Sequence, residues 1–248
     1  MIPERALILS AGRGERLRPH TEERPKTMMP IGGRPLLEYH IVLLREHGIR
    51  ELAVNLHHRP EAVIEYFGDG SHWGVSILYS LEDRLMGTAG AAKRIEGFLG
   101  AGRFVVVYGD NLFADDLGPM FEAHDRMGAC TTVAVIEGPD PCSGGVAVVG
   151  PGWRVSRFIE KPRPDQVLSR LVNAGVYVME PEVLGFVPGD RPSDFGRDVL
   201  PALIEAGQRV YAWKMRGYLS GIDTPELYQK AQRDLAAGWV SHPLVGAR

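Results

Sequence analysis

An α/β fold, a mostly parallel sheet with helices on both faces, is predicted by three features of this 248-residue chain. Apolar strand-like runs alternate with helical patterns through the first half, the mark of strands joined by helical crossovers. The run Phe104-Val105-Val106-Val107-Tyr108 is apolar without alternation, as expected of a parallel strand buried on both faces. Three loops carrying glycine and polar residues follow such strands, and in open α/β sheets ligands bind beyond the carboxyl ends of the strands. A ligand site at that edge of the sheet is the expectation.

Strands are expected at 6–9, 52–56, 75–79, 104–108 and 131–136. Between them Leu37, Ile41 and Leu44 recur at i, i+4 and i+7, and helical patterns follow at 62–67, 89–95 and 117–127. The second half is richer in strands, at 145–149, 154–159 and 172–179. A helix near 195–206, a strand at 209–213 and a last helix from Pro225 complete the series. That helix opens with Thr224 as N-cap and Pro225 in its first turn, and Leu227, Tyr228, Ala231 and Leu235 form its apolar face. Breaks at 138–141, 150–152 and 188–192 read as surface turns, so one domain is expected over 1–240 with a short tail at 241–248.

Composition removes several classes of function. Hydrophobic residues make up 44% of the chain and charged residues 24%, as in ordinary globular proteins. A net charge of −3 provides no general basic field for nucleic acid, so any phosphate affinity must be local. No apolar run approaches the roughly 18 residues that cross a membrane. The N-terminus enters a strand without the pattern of a signal peptide, which points to the cytoplasm. Cys130 and Cys142 lack metal-ligand spacing and read as reduced thiols. His57 and His58 are adjacent, cannot share one strand face, and read as loop residues rather than a metal pair.

The first loop, Ser10-Ala11-Gly12-Arg13-Gly14-Glu15-Arg16-Leu17-Arg18-Pro19 followed by Arg24-Pro25-Lys26, has the chemistry of a phosphate cradle. Glycines let backbone N–H groups approach anionic oxygens, and the cations neutralise them. Leu17 stands where a dinucleotide fingerprint has its third glycine, and no G-x-x-x-x-G-K-[ST] sequence is present. A solvated basic turn is the rival reading. Asp110, after the strand at 104–108, is either a magnesium carboxylate or a turn cap. Gly87-Thr88-Ala89-Gly90 either admits a base or sugar against the backbone or is a small-residue helix entry. Glu160-Lys161-Pro162 ends a strand with a lysine that either reaches a phosphate or lies in solvent. Asn173-Ala174-Gly175 either reads sugar hydroxyls through its amide or makes a turn.

Taken in order, these motifs and Thr224-Pro225-Glu226 resemble those of the sugar-1-phosphate nucleotidyltransferases, the nucleotide-sugar pyrophosphorylases, over nearly the whole chain. Tyr66-Phe67-Gly68-Asp69-Gly70, Leu85-Met86-Gly87-Thr88-Ala89-Gly90 and Tyr108-Gly109-Asp110-Asn111 are most similar to the mannose-1-phosphate guanylyltransferase branch. The resemblance implies a Rossmann-like three-layer α/β/α fold of nucleotide-diphospho-sugar transferase type. Its nucleotide-binding half would span about 1–112 and its sugar-binding half about 113–240. It implies that a nucleoside triphosphate, GTP, and a sugar 1-phosphate, mannose 1-phosphate, give a nucleotide sugar and pyrophosphate with Mg2+. The alternatives are a thymidylyl-, uridylyl- or cytidylyltransferase, or a non-catalytic regulatory protein that binds nucleotide sugars. Homo-oligomerisation stays open.

By the same resemblance Arg16 faces the departing pyrophosphate, Lys26 the α-phosphate and Lys161 the sugar phosphate. Asp110 holds the metal, Glu160 and Asn173 hold sugar hydroxyls, and Ser10, Ala11, Gly12, Gly14, Gly87 and Thr88 hold the nucleotide. Glu82 is either the carboxylate that accepts a pair of guanine donors or a surface glutamate. One departure stands out. Where the family usually has an aspartate in a D-I-G-T-P-like stretch, this chain reads Gly221-Ile222-Asp223-Thr224-Pro225. Two residues apart in an extended segment keeps the same side of the chain, so Asp223 is expected as the second metal carboxylate. A cytidylyl-transferring branch of the family reads similarly there, with M-D-T.

Overall fold

The computed structural model describes residues 1–138 and 140–245; Pro139, in one expected turn, and residues 246–248, at the end of the expected tail, lie outside the described residues. The fold is α/β, with a mixed, mostly parallel central sheet and helices. The chain forms two compact units, one of Ile2–Leu85, Val107–Asp116 and Gly217–Arg248, the other of Met1, Met86–Val106 and Leu117–Arg216. The strand Phe104–Tyr108 gives its first three residues to the second unit and its last two to the first.

In the first unit the strands Arg5–Leu9, Glu51–Leu56 and Ser76–Leu81 run parallel, with Ala6 opposite Leu52 and Leu52 opposite Ile77. The helix Leu36–Glu46 is buried from Leu36 through Leu44, so it is covered on all sides rather than on one stripe. The helix Pro60–Phe67 starts on a proline, whose missing N–H has no intrahelical partner at that position, and stops at Gly68 with φ 56°. Two short strands that the sequence reading did not predict, Asn111–Ala114 and Tyr218–Gly221, pair antiparallel with Asn111 opposite Gly221. The last helix, Pro225–Ala236, begins as expected, with the Thr224 side chain accepting from the Leu227 N–H.

A buried cluster of Leu17, Met29, Ile31, Leu36, Tyr39, Leu112, Ala114, Ile222, Ala231, Leu235 and Val240 lies in this unit. Four of these sit in the segments that carry charged residues of interest. Leu17 adjoins Arg16, Met29 follows Lys26 by three, Leu112 follows Asp110 by two, and Ile222 precedes Asp223. Burial of each aliphatic side chain stabilises by about 1.5–3 kcal/mol. The same contacts that hold the core therefore fix where the charged groups emerge.

In the second unit Thr131–Glu137 pairs antiparallel with Leu171–Met179 and parallel with Val210–Lys214. Gly145–Val149 pairs antiparallel with Val155–Glu160. The helices are Gly87–Arg94, Gly118–Met127 and Leu200–Glu205, with a short turn of helix at Glu96–Leu99. The helix expected near 195–206 is split into a wide π-type turn at Phe195–Val199 and an α-helix at Leu200–Glu205. Pro201 has no N–H to donate, which favours a break in the ladder at this point. No helix among the described residues is long and apolar enough to cross a membrane.

Candidate active site

The strand Arg5–Leu9 delivers the first loop, and the loop is braced before it turns. The Ser10 N–H donates to Asn55 Oδ1 at 2.7 Å, and the Ser10 and Thr27 hydroxyls are hydrogen-bonded at 2.5 Å. Asn55 also donates to Glu82 Oε1 at 2.8 Å, and Glu82 is 4% exposed. Ser10 and Glu82, both expected to touch nucleotide, are thus joined through Asn55 in one buried chain of hydrogen bonds. Ala11 is buried, and Gly12 has open space beyond its Cα. Gly14 adopts φ 62°, and a Cβ there would lie 2.9 Å from Thr21 Cγ2, so the turn requires glycine. The Thr21 hydroxyl closes it by donating to Gly14 O at 2.7 Å.

Beyond that turn the charged side chains converge on one lysine. Lys26, at the head of the short turn Lys26–Met28, has a side chain only 10% exposed. Its Nζ lies 3.0 Å from Asp110 Oδ2 and is also ion-paired with Asp223 Oδ1. Arg16 reaches the same Asp223 oxygen at 3.1 Å. Burial alone would pull the Lys26 ammonium down, but the charges and hydrogen bonds of the two carboxylates outweigh it and hold its pKa above the ordinary lysine value.

Backbone contacts explain why both aspartates reach this point. Gly109 donates its N–H to Leu9 O at 2.9 Å, and a Cβ on it would meet that oxygen at 2.6 Å. His40 Nε2 donates to the Gly109 carbonyl at 3.2 Å, and its ring stacks on Phe113 with centroids 5.3 Å apart. Burial pushes the His40 imidazole down to about 3, so it is neutral at physiological pH. The Ile222 N–H donates to Asp110 O at 3.1 Å, extending the pairing of Asn111–Ala114 with Tyr218–Gly221 by one residue. A Cβ built on Gly221 would lie 3.5 Å from Asp223 Oδ2. Positions 221 and 223 therefore open into the same space.

Two carboxylates, one in the turn before Asn111–Ala114 and one just after Tyr218–Gly221, are hard oxygen donors of the kind that hold magnesium, which takes one or two protein carboxylates and fills its shell with phosphate and water. No group of three or more metal-ligating side chains occurs among the described residues.

The second unit holds the remaining expected residues. Gly87 has φ 74°, and a Cβ there would lie 2.5 Å from Ser193 O. That carbonyl accepts the Ala89 and Gly90 N–H groups at 2.9 and 3.0 Å. Thr88 donates its N–H to Asp194 Oδ1 at 3.2 Å, and its hydroxyl accepts from the Phe195 N–H at 2.9 Å. The helix start is therefore capped by Ser193 and Asp194, which the sequence reading did not single out.

Glu160, at the end of Val155–Glu160, packs its carboxylate against the backbone of Gly145 and Gly196, where a Cβ on either would collide with it. It makes no side-chain hydrogen bond or ion pair among the described residues. Burial raises its pKa; the Asp194 charge adds to that, while Lys161 and Arg197 oppose it. Lys161 sits at φ 47°, a left-handed conformation that is strained for a lysine, and its side chain is exposed. Asn173 donates to the Tyr177 hydroxyl at 2.5 Å and accepts the Gly175 N–H at 2.9 Å, at a break in strand register.

Signals for the missed residues existed. Asn55 is the one polar residue in the run Leu52-Ala53-Val54-Asn55-Leu56, and a polar group in a buried strand needs partners. Ser193-Asp194 stands ahead of a helical pattern, where caps occur.

A strand edge that leads into a glycine-arginine loop and on to a lysine clamped by two aspartates places cations and carboxylates together. The chain belongs to the nucleotidyl transferase family, which it matches over residues 5–240. It is 37% identical over 224 residues to the UTP–glucose-1-phosphate uridylyltransferase of Synechocystis sp., a match covering 85% of this chain and 58% of that protein. It is 32% identical over 244 residues to the mannose-1-phosphate guanylyltransferase of Mycobacterium tuberculosis, covering 97% of this chain and 67% of that protein. The chain thus spans only part of the length of these curated relatives. A UDP-glucose pyrophosphorylase solved in complex with UDP-glucose has the same fold, with a TM-score of 0.84 over 96% of this chain and all of that one, at 21% identity.

Proposed function

We propose that this chain is a sugar-1-phosphate nucleotidylyltransferase. A phosphate oxygen of the sugar 1-phosphate attacks the α-phosphorus of a nucleoside triphosphate in line, the bond from that phosphorus to the bridging oxygen breaks, and pyrophosphate leaves. Both reactants are polyanions, so the protein's task is to suppress repulsion and hold the line of attack. Lys26 meets the α-phosphate and Arg16 the departing pyrophosphate, where charge accumulates in the transition state. Lys161 holds the sugar phosphate, and Glu160 and Asn173 accept or donate to sugar hydroxyls. Gly12, with open space beyond its Cα, admits the nucleotide against the backbone. Asp110 and Asp223 would hold a magnesium ion, which when bound neutralises phosphate charge. The convergence of Asp110 and Asp223 on the buried Lys26, with Arg16 on the same Asp223 oxygen, carries this reading.

GTP and mannose 1-phosphate are the proposed pair, supported by the guanylyltransferase relative that matches over 97% of this chain. UTP and glucose 1-phosphate are the second reading, supported by the 37% identity to the uridylyltransferase. A pyrophosphate-release screen of each nucleoside triphosphate against a panel of hexose 1-phosphates separates them. Release with GTP and mannose 1-phosphate at least about tenfold above every other pair, some 1.4 kcal/mol of discrimination, is expected. A preference for UTP and glucose 1-phosphate selects the second reading, and no release with any pair removes the transferase.

A further inference from the structure

The charges around Lys26 balance without any ligand. Asp110 and Asp223 contribute two negative charges, and Lys26 and Arg16 two positive ones, linked by three ion pairs: Lys26 to each aspartate, and Arg16 to Asp223. The lysine is not a mobile surface cation. Its side chain is nine-tenths buried, its carbonyl accepts the Met29 N–H at 3.0 Å, and its neighbour Thr27 is hydrogen-bonded to Ser10. Each aspartate has one oxygen on Lys26, and that oxygen of Asp223 is shared with Arg16.

Resting on the reading of Asp110 and Asp223 as metal carboxylates, we propose that Lys26 is the resident cation of this site. Its ammonium keeps the two aspartates from binding a free divalent ion, and they bind one only when a nucleotide phosphate draws Lys26 away.

The physical ground is competition for the same oxygens. A bare divalent ion entering a set that is already neutral would put an excess of two positive charges beside a buried ammonium, and removing charge from water without a partner is costly. A phosphate anion changes the balance, because it supplies a new partner for Lys26 and Arg16 at the moment the carboxylates are released. Nucleotide and metal then bind with positive coupling, each raising the affinity for the other by the same factor. The site binds metal in the presence of the triphosphate on which it is to act.

Binding of Mn2+ to the nucleotide-free protein, followed by the EPR signal of free Mn2+, tests this directly. The wild type should show no saturable site in the micromolar range. Lys26→Gln should gain one, at least about tenfold tighter than any wild-type binding. The gain should vanish in the double variant Lys26→Gln/Asp223→Asn, and Lys26→Arg, which keeps the cation, should stay weak. A non-hydrolysable nucleotide analogue should tighten Mn2+ binding to the wild type and do so much less for Lys26→Gln.

A folded Lys26→Gln protein that binds Mn2+ no better than wild type overturns the proposal. If that variant does not fold, the wild type decides: a saturable micromolar Mn2+ site without nucleotide, no tighter when the nucleotide analogue is added, overturns the proposal, and its absence without nucleotide together with its appearance with the analogue supports it. Pyrophosphate release without any Mn2+ gain sinks this inference alone. Absence of release with every substrate pair sinks the transferase reading, whatever Mn2+ does.

Discussion

The two units hold their functional charges in opposite ways. In the first unit Lys26, Arg16, Asp110 and Asp223 satisfy one another, and a ligand must open a closed set of ion pairs. In the second unit Glu160 makes no side-chain hydrogen bond or ion pair among the described residues, and Lys161 is exposed on a strained backbone. On the proposed function, the difference follows from what each is to meet. Reacting phosphates carry charge that changes during the reaction, which calls for groups held in place beforehand. A sugar brings hydroxyls, which need donors and acceptors left unsatisfied by the protein.

The largest way to break the comparison is at the closed set. Asp110→Ala or Asp223→Ala should lower kcat by roughly a hundred- to a thousandfold, with a smaller change in the KM of the sugar phosphate. Steady-state pyrophosphate release measures both parameters. If Asp223→Ala turns over nearly as fast as wild type with ordinary magnesium dependence, Asp223 is not the second carboxylate, and the unit's closed charges are structural.

That pair of aspartates also shows where the sequence was legible. The strands at 6–9, 52–56 and 104–108 were plain because continuous apolar runs have few other uses, and they lie within Arg5–Leu9, Glu51–Leu56 and Phe104–Tyr108. Asp110 could be singled out because it follows such a run. The strands that set Asp110 and Asp223 side by side were not legible. Each is four residues long, one reads Tyr218-Leu219-Ser220-Gly221, and the partners are about a hundred positions apart in the chain. Short strands with polar and glycine residues have no periodic signal, and pairing over such a separation leaves no local trace. His40 was hidden for the opposite reason. It lies in a helix buried on every side, where a lone histidine reads as core until its Gly109 contact is seen.

A second prediction tests whether the core sets the geometry of the closed charges. Ile222 is fully buried between Gly221 and Asp223. Ile222→Ala should cost about 2–5 kcal/mol of stability in denaturant unfolding, as for other large-to-small core changes. It should also lower kcat beyond what lost folded protein explains, because Asp223 is displaced. In the second unit Gly196→Ala should cost less, about 1–3 kcal/mol, by pressing a methyl group into the Glu160 carboxylate. Its effect should fall on sugar-phosphate KM. Equal effects of both variants on kcat would erase the distinction between the units.

The smallest effect expected is on proton linkage, and it reports on the open carboxylate alone. Burial raises the Glu160 pKa in the free protein, with Asp194 adding to it. A sugar hydroxyl that donates to Glu160 favours the ionised form, so its pKa falls on binding and a proton is released. The sign follows from linkage: if binding releases protons, affinity for the sugar 1-phosphate rises with pH through the range between the bound and free pKa values, and is flat above it. Calorimetric titrations near pH 5, about the upper end of the usual glutamate range, in two buffers of different ionisation enthalpy measure the proton count. Wild type should release a fraction of a proton per sugar phosphate bound, and Glu160→Gln should release less and bind up to about tenfold more weakly. An unchanged proton count in Glu160→Gln would mean that the sugar does not meet this carboxylate. The second unit would then be open at Lys161 only.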